Sequence, residues 1–158
     1  MSLQLNHYRL TLKEKKASAE IIMQMSTPIL NTLQLPETYS ILEQSLPGVI
    51  NSACFNEKNL PFAEELKQTE IGHLFEHIIL QILLEKRIAL GHTNFAINGR
   101  TSWNTKKQLH IFKITIEIEK DLNNIFKAAV NEASILLNNI LNTYQNKGRN
   151  QLIPTLTQ

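Results

Sequence analysis

Only one cysteine, Cys54, occurs in the 158 residues, so no disulfide can close within the chain. Charge of one sign is scarce too: 16 Lys and Arg against 14 Asp and Glu leave a formal net charge of +2. So small a surplus, with no window that gathers Lys and Arg beside aromatics, argues against a nucleic-acid binder. Long hydrophobic runs are missing as well. The longest, from Ile78 to Leu84, is interrupted by Gln81 and falls far short of the roughly 20 apolar residues of a membrane span. The N-terminal stretch alternates polar and apolar residues and holds no signal-peptide core. The expectation is a cytoplasmic protein in a reducing compartment, with no membrane and no nucleic acid among its partners. Hydrophobic residues at 42% and charged ones at 19% give enough material for one core and too little charge for disorder.

Periodicity divides the chain into short elements. Residues 6–12 predict a strand, with Tyr8, Leu10 and Leu12 on one face. Residues 17–34 predict a helix that Pro28 ends or kinks. Ser40 and Glu43 fit a capping box for a short helix that stops at Pro47-Gly48, and Pro61 suits the first turn of another over 61–67. A central helix runs from about Glu70 to Ala89, with Thr69 as N-cap and Gly91 beyond its end. Residues 92–108 read mostly as loop, with room for a short strand at 93–97. Strict alternation over 109–119 predicts a strand whose Phe112, Ile114, Ile116 and Ile118 point one way. Residues 121–143 predict an amphipathic helix with Leu122, Phe126, Ala129, Ala133, Leu136 and Ile140 on its apolar stripe. The fold class expected is α+β, a small antiparallel or mixed sheet covered by helices. Residues 1–143 form the single domain, and 144–158 form a polar, flexible tail.

The central helix carries the chemistry. It is apolar nearly all round, as a buried helix is, yet holds His73, Glu76 and His77. Residues three and four apart share a helix face, so the three side chains project together. Burying an unpaired carboxylate costs roughly several kcal/mol, and a divalent cation offsets that cost. Two imidazoles at i and i+4 can hold Zn²⁺, with the Glu as the base that activates water. The order is H-x-x-E-H. A purely structural cluster of hydrogen-bonded side chains is the competing reading. Catalytic zinc needs a third protein ligand. Glu132, at the edge of the apolar stripe of 121–143, is the choice, with Glu117 and Glu119 as rivals. Cys54 reads as a small buried residue, and the Lys106-Lys107 pair as solvated loop. His7, His92 and His110 are isolated, although His110 sits on the strand that carries Glu117. Trp103 suits packing, a dimer contact or stacking on a substrate.

A longer pattern surrounds the motif: Leu46-Pro47-Gly48, Cys54 six residues after Gly48, then Phe62, Leu66, Thr69, Gly72-His73-x-x-Glu76-His77 with Leu80, and Gly99-Arg100-Thr101 before the strand ending in Glu117. In order and in most spacings this resembles the N-terminal domain of cyanophycin synthetase. That domain is similar in turn to zinc peptidases of the pitrilysin type, which carry H-x-x-E-H and a later helical Glu. The resemblance implies a hydrolase-like domain acting on an amide, isopeptide or peptide bond, with His73 and His77 as ligands, Glu132 as the third, Glu76 as base and Arg100 facing a substrate carboxylate. A binding or assembly module that keeps the fold without turnover is the alternative, and a homodimer could supply a missing wall of the cleft. Ser102 stands where the family usually has Arg, and Asn51-Ser52-Ala53 lacks the His often found before the Cys, so the Asp–Arg polymer is not carried over as substrate. No phosphate-cradling Gly-rich loop is present, and no polymerase activity is expected of these residues.

Overall fold

A computed structural model describes residues 1–54, 59–93, 97–103, 110–118 and 123–150. Glu119, Leu122, the Lys106-Lys107 pair, most of 93–97, the tail from 151 and the side chain of Trp103 lie outside the described residues. The fold is α+β. Five strands, β1 (Ser2–Gln4), β2 (Tyr8–Glu14), β3 (Ser18–Met25), β4 (Gly99–Trp103) and β5 (Ile111–Glu117), form one antiparallel sheet in the order β1-β2-β3-β5-β4.

The alternating segments behave as their pattern requires. Tyr8, Leu10 and Leu12 are buried along β2, and Phe112, Ile114 and Ile116 along β5. The helix expected over 17–34 is not formed. Its first half is β3, the central strand, and Thr32–Gln34 make a single 3-10 turn. Ala19, Ile21, Met23 and Met25 alternate on the buried face of β3, with Ile21 opposite both Leu12 and Ile114. The helix formers Ala, Glu, Met and Gln in this stretch misdirect a propensity argument. Ladders on both sides supply the hydrogen bonds and packing that override it. The capping box also sits elsewhere than expected. Asn31 Oδ1 accepts from Leu33 N and Gln34 Oε1 accepts from Asn31 N, whereas the Ser40 hydroxyl donates to Glu37 O within its own helix.

Among the described residues, five α-helices accompany the sheet: α1 (Thr38–Ser45), α2 (Pro47–Ile50), α3 (Phe62–Glu65), α4 (Ile71–Ala89) and α5 (Asn123–Asn150). Pro47 opens α2 rather than only closing α1. Helices α4 and α5 pack on each other, and α4 lies across β4 and β5. The approach is close at Gly72, where a Cβ would come 2.4 Å from the Phe112 ring. Gly91 sits at φ +80° just past α4, a conformation that suits glycine. Helix α5 runs on to Asn150 instead of ending at 143, and its buried side includes Phe126, Ala129, Ala133, Leu137, Ile140 and Leu141, with Leu136 half-buried. The Tyr8 hydroxyl donates to Ser134 O and ties β2 to that helix. Among the described residues, no helix is long and apolar enough to cross a membrane.

Candidate active site

The first two turns of α4 face the loop between α2 and α3 and the edge strand β4. Helical spacing brings His73, Glu76 and His77 to one side, as the sequence predicts. The His73 and His77 rings meet edge to face at 4.8 Å. Phe62, at the start of α3, stacks on His77 with ring centres 3.8 Å apart. The two ends of that loop are joined by an antiparallel bridge between Ala53 and Pro61 and by Phe62 N donating to Ser52 O at 3.1 Å.

Each imidazole is oriented through Nδ1. His73 Nδ1 lies 2.7 Å from the Thr69 hydroxyl, and His77 Nδ1 lies 3.3 Å from Ser52 Oγ. Glu70, not Thr69, takes the N-cap position of α4. Thr69 is held instead by paired bonds to Thr32, through its N–H to Thr32 Oγ1 and its carbonyl to Thr32 N. His73 Nε2 then points to Cys54 Sγ, 3.4 Å away. The donor atoms of Cys54, His73 and His77 all lie within 4.8 Å of one another. Hydrogen bonds of this kind, behind a ligand, fix ring orientation and tautomer.

Burial sets the protonation states. It pushes Glu76 up to about 7, against an opposing hydrogen bond from the Thr101 hydroxyl to Glu76 Oε2. His77 is pulled down to about 3, by burial first and by His73 second. His73 is lowered by burial, with the Glu65 carboxylate working the other way. Both rings are therefore neutral at pH 7, the form that can ligate a metal. Beside Glu76 the strand carries Gly99, where a Cβ would come 2.7 Å from Glu76 Oε1 and force the carboxylate to move.

These groups line a cleft of about 910 Å³, walled on one side by Cys54, Glu65 and Thr69 and on the other by Asn98 to Thr101. Arg100 is at the rim and exposed, and strand alternation turns it to the opposite face from Thr101. Glu132 is elsewhere. It is exposed on α5, paired with Lys86 in the last turn of α4, and outside the cleft lining. The apolar stripe of α5 brings Ala129 and Ala133 to the core and leaves Glu132 on the flank, where a lysine meets it. Glu117 is also outside the lining, exposed and accepting from Asn98 Nδ2. His92 and His110 are exposed, and His7 is buried against Asn142. Among the described residues, the third donor beside the imidazoles is Cys54. Its burial fits the sequence reading, but its thiol faces His73. The sequence signal for it was its donor type alone.

The family model of the cyanophycin synthase-like N-terminal domain matches residues 20–141. The chain belongs to that family. The cyanophycin synthase-like span runs from within β3 into α5 and holds Cys54, Glu65, the H-x-x-E-H residues and Thr101. Strands β1 and β2 precede it. No curated protein and no solved structure matches the chain.

Proposed function

We infer that the protein is a zinc-dependent hydrolase of amide bonds in peptide-like or isopeptide substrates, with Cys54, His73 and His77 as ligands and Glu76 as the base. One observation carries the reading: a thiol and two neutral imidazoles converge within 4.8 Å beside a buried carboxylate. The donor set fits the metal. Tetrahedral zinc holds a thiolate sulfur and an imidazole nitrogen about 3.5 Å apart, and Cys54 Sγ and His73 Nε2 are 3.4 Å apart. Three protein donors facing an open cleft match a catalytic rather than a structural site. The pitrilysin-type order of the motif supports the same assignment.

Zinc bound there supplies a Lewis acid that lowers the pKa of water to about 7 and polarises a carbonyl. The chain's own groups do the rest. Thr101 holds Glu76 Oε2, which leaves Oε1 to take a proton from the attacking water. As the water oxygen joins the carbonyl carbon and the C–N bond breaks, Glu76 returns that proton to the leaving amine. A carboxylate poised near 7 suits both transfers. Thr69 and Ser52 keep the rings turned, and Phe62 closes one side against water.

A second reading, a binding module without turnover, is favoured by those same Thr69 and Ser52 hydrogen bonds, which satisfy one nitrogen of each ring without an ion. Metal content and hydrolysis of a peptide panel separate the two. The expected result is about one zinc per chain, lost in Cys54→Ala and in His73→Ala, with turnover lost in Glu76→Gln while zinc stays bound. Zinc retained by both ligand variants, or turnover surviving Glu76→Gln, rejects the assignment.

A further inference from the structure

The hydrolase reading leaves one buried acid of the cleft without a task. Glu65 closes α3 and lines the cleft on the wall that carries Cys54 and Thr69. It is only 5% exposed, and its Oε1 is buried with no hydrogen-bond partner among the described residues. Neighbouring cations do not serve it. Lys67 is exposed and pairs with Glu64, and Arg100 stays exposed at the rim. A carboxylate taken out of water without a partner opposes folding. Such violations gather where a ligand completes them. Glu65 is also close enough for its charge to act on His73, yet it stands apart from the three donor atoms of Cys54, His73 and His77. It is therefore set to hold a positive group of the substrate beside the metal donors rather than to hold the ion.

We propose that Glu65 anchors the free α-ammonium of the substrate's first residue, so that the cleft removes amino acids singly from the amino end of peptide-like chains. The proposal deepens the hydrolase reading and rests on it for the bond that breaks. Distance selects this cation. An α-nitrogen lies about 2.5 Å from the carbonyl carbon of its own residue, so an ammonium held next to the metal donors brings the first carbonyl to them. A lysine or arginine head sits at the end of a long apolar stem and would hold the carbonyl several bonds farther off. Shape agrees. An ammonium is compact and has three donors, whereas a guanidinium presents a planar fork that asks for a bidentate pair, and Glu65 offers one buried, unpartnered oxygen. Asn31 and Gln68 line the same cleft and offer amide oxygens to the remaining N–H groups. Water then adds to the first carbonyl and the first C–N bond breaks, with Glu76 handing the proton of the water to the departing nitrogen. One amino acid is released, and the chain, shortened by one residue, carries a new amine at its end. Acylated amino ends, which carry no charge, are refused.

The first test measures binding in the full-length Glu76→Gln protein, where hydrolysis does not compete. Tetrapeptide pools randomised at every position, with a fluorophore on the carboxyl end, carry either a free or an acetylated amino end, and fluorescence anisotropy follows the titration. The expected result is saturable binding of the free-amine pool, at least tenfold weaker binding of the acetylated pool, and loss of that preference when Glu65→Gln is added. Glu65→Asp, which keeps the charge on a shorter stem, should retain part of it. Without peptide, Glu65→Gln should melt at or above the parent temperature, since it removes a charge that has no partner. Equal binding of both pools overturns the proposal, as does no binding at millimolar peptide or a preference that survives Glu65→Gln. A Glu65→Gln protein that melts lower or fails to fold overturns it too, because the carboxylate then serves the fold. The second test follows turnover in the wild-type protein. Single amino acids should appear from the free-amine pool, and equal cleavage of the acetylated pool overturns the proposal. Absence of turnover from both pools rejects the hydrolase reading and with it the release of amino acids, while the binding test still decides whether Glu65 holds an ammonium.

Discussion

Thr101 and Glu76 form the most consequential pair of side chains in the cleft. The Thr101 hydroxyl favours the charged carboxylate, so Thr101→Val moves the Glu76 pKa above its present value of about 7. A ¹³C-carboxyl titration of the metal-free protein reads that upward shift. Glu76 also governs stability. Its folded pKa exceeds the usual 4.5, so ionising it opposes folding. The penalty is absent below about pH 4.5, grows as pH rises, and is complete above 7. In the metal-free protein, Glu76→Gln is therefore expected to stabilise by about 2–3 kcal/mol at pH 8 and by little at pH 4. Urea unfolding at the two pH values measures the difference, and an equal effect at both contradicts the burial argument. His73, Glu76 and His77 were legible as a unit because helical spacing is local. Cys54 and Thr101 were not, since they reach the same spot from a loop and from a strand.

At the scale of elements, legibility followed the clarity of the period. Helix α4 and strands β2 and β5 repeat cleanly and were found with small shifts of boundary. Strand β3 was read as helix because its residues favour helices singly and its partners are remote: β5 lies about ninety residues downstream. Strand β4 was read as loop because Gly99, Arg100, Thr101 and Ser102 offer no apolar alternation. Only contact with α4 explains why one side is glycine and threonine. On the face of β3 opposite Ile21, Lys15 and Lys113 each place Nζ 2.9 Å from Glu20 Oε2 and hold Glu20 down to about 2. With its folded pKa below the usual 4.5, this group stabilises the fold above that pH and stops doing so as pH falls toward 2. Glu20→Gln is expected to cost about 1 kcal/mol at pH 7, both lysines being half-exposed. The cost should vanish near pH 2, as thermal melts across that window will register. Gly72→Ala tests the closest helix–sheet contact. Its methyl would meet the Phe112 ring, and the overpacking is expected to cost about 1–3 kcal/mol, visible as a lowered urea midpoint.

For the molecule as a whole, one sheet face carries the helices, and the cleft opens where α4 crosses the edge of that sheet. The α+β class was legible from the order of elements. The surroundings of Glu132 were not: its position along α5 gave its distance from the apolar stripe but not the direction that flank faces. In the fold it faces Lys86. A ligand that binds only the folded state stabilises it by mass action, by about 2.7 kcal/mol at a hundredfold excess over Kd. Zinc should therefore raise the thermal midpoint of the metal-free protein, and Cys54→Ala should abolish most of that rise. An equal rise in the variant would place the ion elsewhere.

The thiol of Cys54 has one further use. Since no second sulfhydryl exists anywhere in the chain, a single alkylating dye reports on one atom beside His73. Its labelling rate in the purified protein, with and without added cation, becomes an optical test of whether a cation reaches the cluster, readable before any substrate is known.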